Sequence, residues 1–377
     1  MKVRLGDYIK EYSVRNKSEE DIPVYSVTNS QGFCQDYFGK EVASKDKSTY
    51  KIVPRGYFAY NPSRINVGSV DWQRHEDRVI VSPLYNVFAV TPELNQQYLY
   101  YYLKSDYALQ LIKTVARGSV RDNLRLEMLY EFPIRLPSIS EQIAVVGKLD
   151  KVKQILDLRH KELSALDDLL KARFVEMFGD VIKNSKGWPK YTFSEIATSR
   201  LGKMLDAKRQ TGEHRFPYLA NFNVQWFRFE LASLNEMDFN EDDQEEFELK
   251  EGDLLVCEGG EIGRCAVWHN AIQPCFFQKA LHRVRCDTGI VLPDYLARWF
   301  QYNCEHGGFA SIEGAKATIA HLPGAKLKAL QVVVPPIELQ EQFISFIAQI
   351  DKSKSVIQKS LDETQLLFDS LMQQFFG

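Results

Sequence analysis

Three short stretches hold residue types that could do chemistry. Asn61-Pro62-Ser63-Arg64 begins like the Asn-Pro-Pro-aromatic motif with which amino-methyltransferases hold a target base. It lacks the second proline and the aromatic ring that stacks on a flipped base, so it reads as a turn or a DNA-facing loop. The glycine-rich run CEGGEIGRC, Cys257 to Cys265, fits neither G-x-G-x-x-G nor a phosphate loop ending in Lys-Ser/Thr. It reads as a tight turn between strands. Glu248-Leu249-Lys250, with Asp238 or Asp242 upstream, has the residue types of a metal-dependent nuclease, whose chemistry needs clustered carboxylates. That match lies in a run with ten acids between Glu236 and Asp253, where composition alone produces it, and a solvated loop is the better reading. The seven histidines show no H-E-x-x-H or H-x-H spacing, and no serine sits in a nucleophile elbow. The six cysteines form no C-x-x-C pair and are expected to be free thiols in a reducing cytoplasm. Neither an active site nor a metal site is expected.

Cations suited to a phosphate backbone are more informative. In KTVARGSVRDNLR, Lys113, Arg117, Arg121 and Arg125 recur every four positions, the spacing of one helix face. Gly118 and the Asp122-Asn123 pair make part of that stretch a loop. Either conformation presents four cations to phosphates or to guanine edges, and a merely solvated basic face is the competing reading. Arg64, Asn66 and Arg74 lie in or beside NPSRINVGSVDWQR, with Trp72 expected in the core. In the second half the candidates are Lys203, Lys208, Arg209, Arg264 and Lys316. A formal charge of −3 does not exclude a nucleic-acid partner, because contact charge is local. Residues 1–137 carry 19 basic and 16 acidic side chains. Residues 190–336 carry 16 and 20, but half of those acids are in the run from Glu236 to Asp253. That run is expected to face away from DNA or toward a partner. In YLYYYLKSDYALQLI, Leu99, Tyr102, Leu103, Leu109 and Ile112 share a helical face and are expected to be buried rather than to stack on bases.

The elements that must hold these residues come in two copies. LPSISEQIAVVGKLDKVKQIL, from Leu136, aligns with VPPIELQEQFISFIAQIDKSKSVI, from Val334, pairing Pro137 with Pro335 and Gln142 with Gln340. Three residues enter the second copy. From there Asp150, Leu166, Leu170 and Phe174 stand 201 places before Asp351, Leu367, Leu371 and Phe375. Each copy reads as a helix of about 38 residues, or about 57 Å. Ser138 and Glu141 have capping-box spacing at the first helix start, and Gly179 followed by NSKGWP stops it. Leu149, Val152, Leu156, Leu163, Leu166, Leu170 and Phe174 form an apolar stripe on the first helix. Ile350, Ile357, Leu361, Phe368, Leu371 and Phe375 form one on the second, and the stripes are expected to pair.

The resulting division is a first globule at 1–137, a central helix at 138–180, a linker at 181–189, a second globule at 190–336 and a distal helix at 337–377. The expected fold class is α/β in the α+β sense and internally duplicated. Two unequal mixed α/β globules are joined by two long antiparallel, coiled-coil-like helices in a pseudo-twofold arrangement. No run of 18 apolar residues predicts a membrane span, and the charged start MKVRLGDYIKEY does not read as a signal peptide.

LDKVKQILDLRHKELSALDDLLKARFVEMFGD followed by GWP, together with ELQEQFISFIAQIDKSK and the closing LMQQFFG, resembles the specificity subunits of type I restriction–modification systems. NPSRINVGS, Asn61 to Ser69, is similar to a segment that recurs in their target-recognition domains. The likeness runs through the whole chain in order and is stronger over the helices. It implies a non-catalytic cytoplasmic protein with no cofactor of its own, S-adenosylmethionine, ATP and Mg²⁺ belonging to partner subunits. The implied partners are double-stranded DNA, two modification subunits (adenine methyltransferases) docked on the helices, and a restriction (translocase) subunit, with no membrane. Each globule would read half of a bipartite site, asymmetric because the globules differ, and the helices would set the spacer. Two other readings stay open. A stand-alone DNA methyltransferase or nuclease would need a cofactor or metal motif, and a coiled-coil adaptor without DNA affinity would leave the globules without a purpose.

Overall fold

Two 40-residue helices, Ile139–Phe178 and Ile337–Phe376, are the longest elements of the chain. The first starts at a capping box. The Ser138 amide donates to Glu141 Oε2 at 2.9 Å, and the Glu141 amide returns to Ser138 Oγ at 3.4 Å. It ends at Gly179, whose φ of 75° suits a residue without a Cβ. Beyond that turn Lys186 Nζ reaches back to the carbonyls of Glu176 and Met177, placing a cation on the negative end of the helix dipole. The computed structural model describes residues 2–18, 20–35, 46–116, 123–206, 210–310 and 321–377. The chain divides into two compact units, residues 1–162 with 357–377, and residues 163–356, so each unit holds part of both long helices.

Both units follow one plan. In the first, strand Lys2–Arg4 pairs antiparallel with Pro133–Arg135. A four-stranded antiparallel sheet then runs in the order Ile9–Glu11, Asn86–Val90, Phe58–Tyr60, Val70–Trp72. In the second, Lys190–Thr192 pairs with Gln331–Val333. Its sheet has the order Ala197–Leu201, Leu281–Cys286, Leu254–Cys257, Cys265–Val267, again all antiparallel. The additions differ. The first unit carries the hairpin Ser26–Thr28/Gly32–Cys34 and the pair Lys51–Pro54/Arg78–Val81. The second carries a three-stranded sheet of Asn235–Asp238, Arg215–Leu219 and Phe276–Phe277, and the acidic helix Glu241–Phe247. Helices Gln96–Lys104 and Asp106–Ala116 cover the first core, and Pro293–Glu305 the second. Leu99, Tyr102, Leu103 and Ile112 are buried as their spacing predicts, while Leu109 is only partly covered because the helix breaks at Ser105.

The paired glutamines explain why the copies keep the same join. Gln142 is fully buried. Its Oε1 accepts from the Asn95 amide at 2.8 Å, and its Nε2 donates to the Glu93 and Pro137 carbonyls at 2.8 and 2.9 Å. Gln340, also fully buried, accepts from the Leu292 amide at 2.8 Å and donates to the Ile290 and Pro335 carbonyls at 3.0 and 2.8 Å. One buried, uncharged amide thus satisfies three backbone groups, and locks the start of a long helix to the chain entering the covering helix. Tyr98 and Tyr295 repeat the device one step away, their hydroxyls donating to the Arg135 and Val333 carbonyls.

Within each unit the long helices run antiparallel. In the second, Lys354 pairs with Asp167, while Phe343 meets Phe174 and Phe178 at ring separations of 5.6 and 5.3 Å. In the first, Leu149 shares a core with Met372 and Phe376. Leu149, Val152, Leu156, Leu170, Phe174, Ile350 and Leu361 are buried. Leu163, Leu166, Ile357, Phe368, Leu371 and Phe375 are only half covered. Phe178, Met372 and Phe376 are buried instead, because near each globule the helix must cover two faces, one against the other helix and one against tyrosines such as Tyr98 and Tyr295. No helix of the described residues is long and apolar enough to cross a membrane.

Candidate nucleic-acid interface

In each unit a loop joins the third and fourth strands of the four-stranded sheet, and it carries Arg64 and Asn66 in the first unit and Arg264 in the second. In the first unit this is Asn61–Ser69. Asn61 Oδ1 accepts from the Ser63 amide at 3.1 Å, a short helical turn Ile65–Val67 buries Ile65, and Gly68 turns the chain at φ 88°. The turn leaves Arg64 exposed and Asn66 partly so. In the second unit the loop is Glu258–Arg264, with Ile262 buried and Gly263 at φ 79°. The Leu124 amide donates to the Pro62 carbonyl, and the Leu322 amide to the Glu258 carbonyl. Both loops are therefore pinned at the same point of the plan.

Asp71 lies beneath the first loop. It is buried, and its carboxylate accepts from Arg74, from the Trp72 amide at 2.8 Å and from the Phe33 amide at 3.1 Å. Burial pushes its pKa up, and the Arg74 guanidinium pulls it back. Arg74 also lies 4.5 Å over the Trp72 ring, whose Nε1 donates to Gln97. Arg74 is thus half-exposed and already paired. Trp72 is partly covered, packing against the first core with the Arg74 cation over its ring.

Lys113 is exposed on the helix Asp106–Ala116, and Arg125 is exposed at the N-cap of the helix Leu126–Tyr130. The two therefore do not share one helix face, and Arg125 follows the partly looped alternative of the sequence reading. Arg117 and Arg121 lie outside the described residues, as do Lys208, Arg209 and Lys316.

In the second unit Lys203 and Arg264 are occupied internally. Lys203 Nζ donates to the Asp238 carbonyl at 2.6 Å and to Asp243 at 2.5 Å, and sits 5.0 Å from the Phe239 ring centre. Arg264 Nη2 donates to the carbonyl and side-chain oxygens of Asn221 at 3.1 and 2.8 Å. Asn221 Nδ2 in turn donates to the Gly259 carbonyl, so the turn Asn221–Asn223 is fastened to the glycine loop with Phe222 exposed on it. No composition or spacing signal marks Asn221 or Phe222.

The acidic run is neutralised in part inside its own unit. Asp243 meets Lys203, Glu246 meets Arg200, Glu236 meets Arg215, and Asp253 takes both Nε and Nη2 of Arg285. Asp238 accepts from the amides of Thr211, Gly212 and His214. Four of the ten acids are thus counter-charges to lysine or arginine of the same unit. Among the described residues no three His, Cys, Asp or Glu side chains are placed to hold a metal ion. The six cysteines are free thiols.

A family model described as the type I restriction modification DNA specificity domain matches residues 2–167 and again residues 185–364. A Haemophilus influenzae protein assigned as a type I restriction enzyme specificity subunit is 25% identical over 277 residues, 71% of this chain and 68% of its own. A chain from a structure on complex assembly and conformational transition of the type I R-M system gives a TM-score of 0.64 at 16% identity, covering 100% of this chain and 97% of that one. The crystal structure of a type I restriction-modification S subunit from M. genitalium gives 0.55 at 14% identity, covering 100% and 96%. At those identities the two structures establish a shared fold. The family match falls once on each copy of the plan, and the chain belongs to the type I restriction–modification DNA specificity family.

Proposed function

We propose that this chain is the non-catalytic DNA-reading subunit of a type I restriction–modification complex, each unit reading one half of a bipartite, asymmetric site. The observation that carries the reading is the duplicated sheet with its pinned loop, which offers two equivalent places for unequal readers. The differing additions, a hairpin with Asp71–Arg74 in one copy and the Asn221–Asn223 turn in the other, support unequal half-sites. Exposed cations such as Arg64, Lys113 and Arg125 suit phosphate or guanine contact. Arg117, Arg121, Lys208, Arg209 and Lys316 remain candidates for the same role, whereas Arg74, Lys203 and Arg264 serve better as supports.

The long helices dock the two modification subunits and set the spacer, each residue adding about 1.5 Å of rise. Aliphatic side chains left exposed on them, among them Ile143, Ile155, Leu158, Val356 and Leu366, support that docking. S-adenosylmethionine, ATP and Mg²⁺ belong to the partner subunits, the restriction (translocase) subunit among them, and the complex works in the cytoplasm. The test is co-expression with the modification subunit, followed by single-molecule mapping of adenine methylation. A bipartite asymmetric motif that disappears with this chain is expected. A palindrome, or no motif from an assembled complex, refutes the reading.

A further inference from the structure

Lys104 closes the helix Gln96–Lys104 and does not face solvent freely. Its Nζ donates to the Gly68 carbonyl, to the Asn29 carbonyl at 3.1 Å and to Asn29 Oδ1 at 3.2 Å. These acceptors belong to two separate elements. Gly68 ends the loop Asn61–Ser69, and Asn29 stands at the tip of the hairpin Ser26–Thr28/Gly32–Cys34. All three donor directions of the ammonium group are thus used, and all join the tip to the loop. The Tyr100 ring, 5.6 Å away, forms one wall of the site. Gly68 allows the approach, since a Cβ built there would lie 2.7 Å from Asn29 Oδ1.

A second anchor holds the same hairpin from below. Asp71 Oδ2 accepts from the Phe33 amide, and a Cβ on Gly32 would come within 2.0 Å of that oxygen, so the hairpin is seated directly on the carboxylate. Between the two anchors the tip residues Asn29, Ser30 and Gln31 are exposed and polar, and the loop that Gly68 joins to Asn29 carries exposed Arg64 and partly exposed Asn66. Groups of this kind read base edges only when their backbone is fixed.

We propose that the hairpin tip Asn29–Gln31 and the loop Asn61–Ser69 form one reading surface for a half-site, and that Lys104 is the positioning residue that locks them in register. The proposal rests on the DNA-reading function above and adds Asn29, Ser30 and Gln31 as specificity-determining residues. Lys104 itself contacts no base. Its removal changes which bases are accepted, not how tightly the backbone is held.

The experiment compares the adenine methylomes produced by the unsubstituted chain and by Lys104→Met, each assembled with the modification subunit. Lys104→Met keeps the apolar stem and removes all three donors. Acceptance of non-cognate bases in one half-site is expected to rise on the order of tenfold, the other half-site being unchanged and serving as an internal control. An unchanged motif overturns the proposal. A uniform fall in methylation with unchanged base preference also overturns it, because that is the signature of lost stability alone. If Lys104→Met does not assemble, Lys104→Gln decides, its shorter amide reaching one element only: partial relaxation of the same half-site supports the proposal, and an unaltered motif overturns it. If the unsubstituted chain yields no motif, the DNA-reading function itself fails and the proposal falls with it.

Discussion

Replacing Gln142 by Met keeps the length of the side chain and removes its amide. Three partly buried backbone groups then lose a partner: the Asn95 N–H and the Glu93 and Pro137 carbonyls. An orphaned buried group costs about 1–3 kcal/mol, partial exposure puts these three near the lower end, and a loss of about 3 kcal/mol is expected. For a unit of this size that lowers its melting temperature by roughly 10 °C. Calorimetry measures the shift, and native-state hydrogen exchange locates it, because the Asn95 amide should lose protection while the Leu292 amide keeps it. Gln340→Met should give the mirror result. A shift below about 2 °C with Asn95 still protected would refute the clamp. So would equal loss at Asn95 and Leu292 in the single variant, since the two units would then not be held independently.

Two further expectations concern docking and acid. Ile155→Asp combined with Val356→Asp alters exposed equivalents on the two long helices, so chain stability should change by no more than about 0.5 kcal/mol while affinity for the modification subunit falls at least roughly tenfold in analytical ultracentrifugation; undiminished affinity would place the docking surface elsewhere. The Gly212 amide, followed by those of Thr211 and His214, holds the Asp238 carboxyl below the usual carboxylate range against the opposing effect of desolvation. Its stabilisation is therefore present above the ordinary aspartate pKa of about 4 and is lost as the pH falls through the lower folded value. The stability advantage over Asp238→Asn, measured by urea unfolding, should shrink between about pH 5 and pH 3. An advantage that is constant or grows on acidification contradicts this assignment.

The long helices were legible because their signals are local. Proline-free runs, a Ser138–Glu141 cap, Gly179 and a repeated apolar period each act within a few residues, and such patterns survive duplication. The pairing of Gln142 with Gln340 was visible as a coincidence of sequence, but its reason was not. A polar residue at a helix start is ordinary until tertiary packing buries it against three backbone groups. Charge was the least legible property. Lys203, Arg264 and Arg74 looked like free cations by type and spacing, and packing gave each an internal acceptor. The acids from Glu236 to Asp253 looked like a solvated run, and four of the ten are counter-charges to arginines and lysines distant in sequence. Asn29, Asn221 and Phe222 carried no signal at all, because what makes them candidates is the rigidity of the turns that hold them. By itself the sequence determined that one plan is used twice and that a long helix closes each copy. Only the tertiary structure decided which cations support the loops and which remain free to meet a partner, because hydrogen-bond partners separated by tens of residues are chosen by packing.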